Sequence, residues 1–157
     1  MRHHARRGDD GGDALSGTGP ADRVSTVLDG SRAALAGLGA WIEAATAGHA
    51  LPPDLQFALR LCVEEAATNA IAHGEPATAD PAVAIRIAFR ADAVTAEIED
   101  AGGPFDPATA PLPQLGTSLD DTPDGGRGLR LLRSFADSLD YERRNGRNRL
   151  IMGFRRR

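Results

Sequence analysis

The sequence predicts an α/β domain of the α+β kind, a two-layer sandwich with helices on one face of a mixed, mostly antiparallel sheet. Two observations support this expectation. Segments with the alternating apolar pattern of strands stand both before and after segments with the longer period of amphipathic helices. Close to its end the chain carries Asn145-Gly146 between two apolar stretches, a dipeptide typical of tight antiparallel hairpins.

Size and composition are those of one globular domain preceded by a tail. The chain has 157 residues, of which 41% are hydrophobic and 25% charged, and a chain of this size buries a core without cross-links. Residues 1–20 are rich in glycine, arginine and aspartate and have little to bury, so we expect a flexible tail there. Residues 21–157 are expected to form the folded domain.

Residue types that are missing or rare exclude several classes of protein. The sequence has no lysine, which excludes Walker-type phosphate loops, protein kinases of the common type and pyridoxal enzymes. The single cysteine, Cys62, excludes an internal disulfide and a zinc knuckle. A net charge of -4 argues against direct binding of nucleic acid. Because no apolar run of about 18 residues and no apolar leader occur, we expect a cytoplasmic protein without a membrane span.

The first half of the domain is predicted to contain one strand and two helices. Alternating residues over 24–28 predict a short strand. Ser31 is a suitable N-cap for a helix that runs to about Gly48. The Pro52-Pro53 pair opens a second helix, which should end at Gly74.

The second half is predicted to contain two strands, a loop, a helix and a hairpin. Apolar residues alternate over residues 83–90 and again over residues 93–99. Residues 101–124 are rich in proline and show little periodicity, which is typical of a functional loop. A helix follows from about Arg127 to Asp137, and the hairpin closes the domain.

A polar stripe is predicted on the second helix, where Glu65, Asn69 and His73 recur every four residues. Apolar side chains occupy the adjacent stripe, which places the polar stripe at the edge of the core. A carboxylate, a carboxamide and an imidazole are side chains that a site for phosphate and metal needs. The alternative interpretation is the solvated flank of an ordinary amphipathic helix.

An acidic residue with inward-facing parity ends the strand predicted over residues 93–99. Asp100 is followed by Ala-Gly-Gly-Pro and then by Phe105. A core-facing acid needs a hydrogen-bond donor, and the exocyclic amine of a flat heterocycle would serve. Gly102 and Gly103 would let the backbone approach such a ring closely. The alternative is a plain turn, for which this sequence is also well suited.

A glycine-rich segment, Gly125-Gly126-Arg127-Gly128, opens the last predicted helix. Free backbone N–H groups and the positive end of the helix dipole favour a phosphate there, and Arg127 or Arg130 would add charge. The segment does not match the Rossmann fingerprint, since no strand enters it directly.

Taken in this order, the motifs resemble the ATP-binding domain shared by gyrase, heat-shock chaperones and histidine kinases, the GHKL superfamily. The resemblance is strongest to its short, single-domain branch, the anti-sigma-factor serine/threonine kinases of bacteria. It covers roughly residues 21–157 and implies the Bergerat ATP-binding fold. The matching motifs are Glu65-x-x-x-Asn69 with His73, Asp100-x-Gly102-x-Pro104-Phe105, and Gly126-x-Gly128-Leu129.

The resemblance implies ATP as a ligand. Asp100 would accept a hydrogen bond from the adenine amine, and Gly102 would allow close approach to the base. Further residues implied in ATP binding are His73, Phe105, Arg127 and Leu129.

The resemblance also implies Mg²⁺ and catalysis. Asn69 would hold the Mg²⁺ that bridges the phosphates. Gly126 and Gly128 would cradle the phosphates while residues 104–124 form a lid. Glu65 would act as general base toward the attacking hydroxyl.

Two departures from the superfamily pattern stand out. Ala72 occupies the position where histidine kinases have a lysine. The threonine that many members place near the base has no clear counterpart in residues 148–150.

The function implied is a serine/threonine protein kinase that phosphorylates a partner, such as an anti-sigma-factor antagonist, and regulates transcription or stress signalling. A sigma factor is a further implied partner, and a homodimer is compatible with the resemblance. Two alternatives remain at this point. One is a non-catalytic partner-binding module in which ATP sets the shape of the lid. The other is an α/β domain without a nucleotide site.

Overall fold

The computed structural model describes residues 2–4, 21–73, 82–112 and 124–157. From residue 21 onward its helices and strands keep the predicted order, except that the first predicted helix is divided in two. The elements are β1 (Arg2–His4), β2 (Asp22–Leu28), α1 (Arg32–Ala36), α2 (Leu38–Thr46), α3 (Pro53–His73), β3 (Val83–Phe89), β4 (Ala93–Asp100), α4 (Asp124–Phe135), β5 (Ser138–Arg144) and β6 (Arg147–Arg155).

The strands form one sheet in the order β1-β2-β3-β4-β6-β5. Each pair among the described strands is antiparallel, so the mostly antiparallel sheet is confirmed and its expected parallel component is absent from this part of the chain. Arg2–His4 pairs with β2, although it lies in the segment predicted to be a tail. The rest of that segment, residues 5–20, lies outside the described residues.

The core lies between the sheet and the helices. The inward-facing residues predicted for β3 and β4 are buried, and α3 faces them with its apolar stripe. The inward-facing residues of the strands and the apolar stripe of α3 therefore pack into the same core. The fully buried side chains from these three elements include Leu59, Cys62, Val63, Ile85, Ile87, Val94 and Ala96.

The helix predicted over residues 31–48 is interrupted. Ser31 caps α1 as expected, because its Oγ accepts the Ala34 N–H at 3.1 Å. Gly37 then ends α1 and begins α2. Glycine is a poor helix former, and it stands at the break in the segment where one continuous helix was expected.

The opposite face of the sheet carries a network of ion pairs. Glu97 accepts hydrogen bonds from Arg86 at 2.5 Å and from Arg149 at 2.6 Å, and Arg149 also donates to Glu142 at 2.7 Å. The hydrogen bond from Arg149 holds the pKa of Glu142 below its ordinary value. Charged groups thus cover this face, while the helices cover the other. None of the described helices is both long and apolar enough to span a bilayer.

Candidate functional site

A cavity of about 490 Å³ opens between α3, the end of β4 with the loop that follows it, and α4. Its walls are mostly apolar, which suits a flat heterocycle, and few polar groups reach into it. Several residues predicted to bind a nucleotide line this cavity, namely Asn69, Asp100, Gly102, Phe105 and Leu129. The apolar walls come from Ala66, Ala70, Ile98, Leu132 and Leu150, among others.

Asp100 stands at the last position of β4 and presents its carboxylate to the cavity. Its Oδ1 accepts the Gly102 N–H at 2.8 Å and an N–H of the Asn148 carboxamide at 3.1 Å. Within the part of the chain that the structure describes, no hydrogen bond reaches Oδ2. One oxygen of the carboxylate is therefore held by the protein, and the other is open to a ligand.

Asn148 is the residue that sequence reasoning missed. It is only 7% exposed, and its Nδ2 also donates to the carbonyls of Gly103 at 2.8 Å and Gly102 at 3.3 Å. Its Oδ1 accepts from the Tyr141 hydroxyl at 2.6 Å and from Arg143 Nη1 at 2.9 Å. The register of the Asn145-Gly146 hairpin could have revealed it, because a two-residue turn places residue 148 opposite residue 143.

The predicted stripe on α3 meets α4. A Cβ built on Gly128 would lie 2.9 Å from Asn69 Nδ2 and 3.1 Å from Glu65 Oε2. These distances place the carboxamide and the carboxylate side by side beneath one turn of α4. His73 is the last residue of α3, but its side chain lies outside the described residues.

The glycine-rich segment is not a loop before a helix. The last helix, α4, begins at Asp124, so Gly126 and Gly128 lie in its first two turns and are buried. The prediction of a start near Arg127 was wrong because packing against α3 outweighs the poor helix propensity of glycine. The N–H groups without a partner inside a helix are those of its first turn, which in α4 begins at Asp124. Arg127 itself is exposed at this end of α4.

The beginning of the predicted lid, at residues 107–110, is hydrogen-bonded to α4. Arg133 donates through Nε to the Pro107 carbonyl at 3.0 Å and through Nη2 to the Ala110 carbonyl. Asp106 holds the same turn by accepting the Ala108 N–H at 2.8 Å. The remainder of the lid, residues 113–123, lies outside the described residues.

The donor set near α3 fits a metal bound mainly through phosphates. Within the described ranges, no three His, Cys, Asp or Glu side chains gather into a metal cluster. Mg²⁺ in nucleotide sites typically takes one or two protein ligands, with phosphate oxygens and waters completing its shell. The Asn69 carboxamide oxygen, beside the start of α4, is a suitable ligand of that kind.

Comparison with known protein families gives one match over most of the chain. The sequence model of the family called the histidine kinase-like ATPase domain matches residues 29–154. Among solved structures, the chain is similar to the RsbU and RsbW domains of a Mycobacterium tuberculosis protein, with a TM-score of 0.61 and 15% identity. That match covers 87% of this chain and 33% of the solved chain, and at this identity it shows the fold alone.

Two curated proteins are similar in sequence. The chain is 36% identical over 112 residues to the serine/threonine-protein kinase BtrW of Bordetella bronchiseptica, a match that covers 71% of this chain and 79% of that protein. It is 32% identical over 88 residues to the anti-sigma F factor of Clostridium beijerinckii. The second match covers 56% of this chain and 62% of the relative.

Proposed function

Because the chain belongs to the histidine kinase-like ATPase domain family, we propose that it is an ATP-dependent serine/threonine kinase of the anti-sigma-factor type. It binds ATP with Mg²⁺ and phosphorylates a hydroxyl of a partner protein, such as an anti-sigma-factor antagonist. The partner's state then regulates a sigma factor. The names of the two curated relatives, a serine/threonine-protein kinase and an anti-sigma factor, support this choice.

One observation carries the proposal. Asp100 and Asn69 line the same mostly apolar cavity. Asp100 Oδ2 accepts no hydrogen bond from the described residues, and Asn69 lies with Glu65 against Gly128 near the start of α4. A ligand with an aromatic base and a polyphosphate matches an apolar cavity that has an open acceptor and lies beside the N-terminal turns of a helix.

The base is held by shape and by one acceptor. The exocyclic amine of adenine donates to Asp100 Oδ2. The ring lies against the apolar walls, including Leu129 and Ile98. Gly103 leaves space for it, since a Cβ at that position would meet no protein atom within 4 Å.

The phosphates are held by α4 and by the metal. First-turn N–H groups of α4 bind phosphate oxygens, and Arg127 adds positive charge at the same helix end. Asn69 contributes a ligand to Mg²⁺, which when bound neutralises phosphate charge and lowers the barrier to transfer. Glu65 lies one helical turn from Asn69 and accepts the proton of the attacking serine or threonine hydroxyl.

The first experiment is a calorimetric titration of Mg-ATP into wild type and Asp100→Asn. The variant replaces an acceptor by a group that presents its amide N–H₂ to the base, so we expect ATP binding to weaken by about 1 to 3 kcal/mol. The Glu142→Gln variant, on the other face of the sheet, is the control and should bind as wild type. Unchanged affinity in a folded Asp100→Asn protein would contradict the assignment of Asp100.

The second experiment tests transfer. Purified protein with Mg²⁺ and labelled ATP is incubated with candidate antagonist proteins, and phosphoserine or phosphothreonine is identified on the acceptor. The kinase proposal requires transfer to a partner that the protein binds. Binding of ATP and partner without transfer would instead support a non-catalytic module that ATP controls.

A further inference from the structure

We propose that Asn148, oriented by Arg143 and Tyr141, is a positioning residue that makes the site select a 6-aminopurine over a 6-oxopurine. The inference rests on the proposed ATP site and concerns how that site distinguishes one base from another. It does not depend on phosphate transfer.

The residues involved form one row across three strands. Asp100 of β4 pairs directly with Asn148 of β6, and Asn148 pairs directly with Arg143 of β5. Directly opposed residues on one face of an antiparallel sheet bring their side chains into contact. Tyr141 lies two residues before Arg143 on the same face of β5 and reaches the same carboxamide.

The orientation of the Asn148 carboxamide follows from its partners. A guanidinium group has only donors, so the atom that faces Arg143 Nη1 at 2.9 Å must be the oxygen. The nitrogen must then face Asp100 and the two glycine carbonyls. A rotation of the amide by 180° would set N–H₂ against Arg143 and oxygen against carboxylate, which removes every one of these hydrogen bonds.

The hydrogen-bonding capacity of Asn148 is fully used within the protein. Its two N–H groups donate to Asp100 Oδ1 and to the carbonyls of Gly103 and Gly102. Its oxygen accepts from both Tyr141 and Arg143. An amide has two donors and two acceptor positions, so Asn148 has no donor left for a ligand.

This arrangement fixes what the cavity offers to a base. Asp100 Oδ1 is held by Asn148 and by the Gly102 N–H, which leaves Oδ2 as an acceptor. The amine of adenine donates to it. A 6-oxopurine would bring a carbonyl oxygen against Oδ2, and Asn148 has no free N–H to compensate. A buried site that is built for one hydrogen-bond partner rejects the analogue that lacks it.

The test compares ATP with inosine triphosphate, which differs at the 6-position of the purine. Calorimetric titration of wild type should give an affinity for ATP about 10- to 100-fold higher than for inosine triphosphate. In Asn148→Ala the carboxylate loses its anchor and can rotate and hydrate. We expect ATP affinity to fall at least tenfold and inosine triphosphate affinity to change less than about threefold, so that discrimination is largely lost.

Two further variants separate positioning from folding. Tyr141→Phe removes only the hydroxyl that donates to Asn148 and should reduce the ATP preference by about two- to fivefold. This variant keeps the inference testable if Asn148→Ala fails to fold, as judged by circular dichroism. Glu142→Gln changes the residue between Tyr141 and Arg143 on the other face of the sheet and should leave the preference unchanged.

The outcomes are distinguishable. Equal loss of both nucleotides in Asn148→Ala and an unchanged preference in Tyr141→Phe would mean that the network is only structural, which overturns the inference while the ATP site stands. A wild-type protein that binds both nucleotides equally would overturn it as well. Wild type that binds neither nucleotide would refute the proposed ATP site itself.

Discussion

Gly128 of α4 lies so close to Asn69 of α3 that a Cβ at position 128 would come within 2.9 Å of the Asn69 carboxamide nitrogen. The contact joins the helix whose first-turn N–H groups are proposed to bind phosphate to the side chain proposed to hold the metal. The neighbour that a methyl group would meet is a side chain rather than backbone. It can move, but only by leaving the position proposed for binding the metal.

Gly128→Ala should therefore weaken Mg-ATP binding more than it destabilises the fold. Alanine is favoured over glycine in a helix by about 1 kcal/mol, which offsets much of the steric cost. We expect the melting temperature of the apo protein to change by a few degrees at most and the Kd for Mg-ATP to rise about tenfold. Gly48→Ala is the matched control, because a Cβ there meets nothing within 4 Å. Wild-type Mg-ATP affinity in Gly128→Ala would contradict the argument.

Asn69→Ala should act through the metal and not through the base. Mg²⁺ has few protein ligands, so the loss of one should loosen the metal and the phosphates together. We expect weaker binding of Mg-ATP with adenosine binding largely unchanged, as measured by titration of each ligand. An equal loss for both ligands would assign Asn69 a structural role.

Arg133 should control the order of the first turn of the loop that follows β4. It donates to the Pro107 and Ala110 carbonyls, and the Ala110 N–H bonds the Asp106 carbonyl at 2.9 Å within that turn. In Arg133→Ala we expect faster hydrogen exchange at the Ala110 amide, by about tenfold, because local opening becomes easier. Ser134→Ala, at the adjacent exposed position of α4, is the control. Unchanged exchange in Arg133→Ala would show that the turn is held by its own hydrogen bonds.

Cys62 should be unreactive in the folded protein. Burial and the nearby Glu65 raise the pKa of its thiol to about 12. At pH 8 the thiolate that reacts with a disulfide reagent is scarce in the folded state, so labelling should require unfolding. The same shift makes stability fall as the pH rises above the ordinary thiol pKa of about 8.5, because the unfolded chain then releases a proton that the folded chain retains until about pH 12. Rapid labelling of native protein would contradict the burial.

The sheet and its core could be predicted from the sequence because their signals are local. The alternation of apolar residues over β3 and β4 indicated which residues face inward, and Asn145-Gly146 indicated the hairpin. Both hairpin residues have positive φ, 52° and 73°, as a tight primed turn requires. The early start of α4 depended on packing against α3, which the local pattern does not contain.

The motif residues of the candidate site could be predicted from the sequence, but the residue that orients Asp100 could not. Asp100 and Asn69 belong to motifs that identify them as candidate site residues, and both line the cavity. Asn148 belongs to no motif, and its importance comes from its pairing with Asp100 across β4 and β6. Glu65 and Glu64 could be separated by helical phase alone, and the structure agrees, because Glu64 accepts from Arg60 at 3.2 Å while Glu65 lies against Gly128.

The measurement that tests the proposed kinase activity most directly is phosphate transfer by Glu65→Gln and Glu64→Gln to a partner that the wild type phosphorylates. A general base typically contributes about 10² to 10⁴ in rate. Glu65→Gln should therefore keep ATP affinity within a few-fold of wild type while transfer falls by that order, and Glu64→Gln, which loses only the exposed pair with Arg60, should change neither. Equal transfer rates in the two variants, or undiminished transfer by Glu65→Gln, would contradict the assignment of Glu65 as the catalytic base.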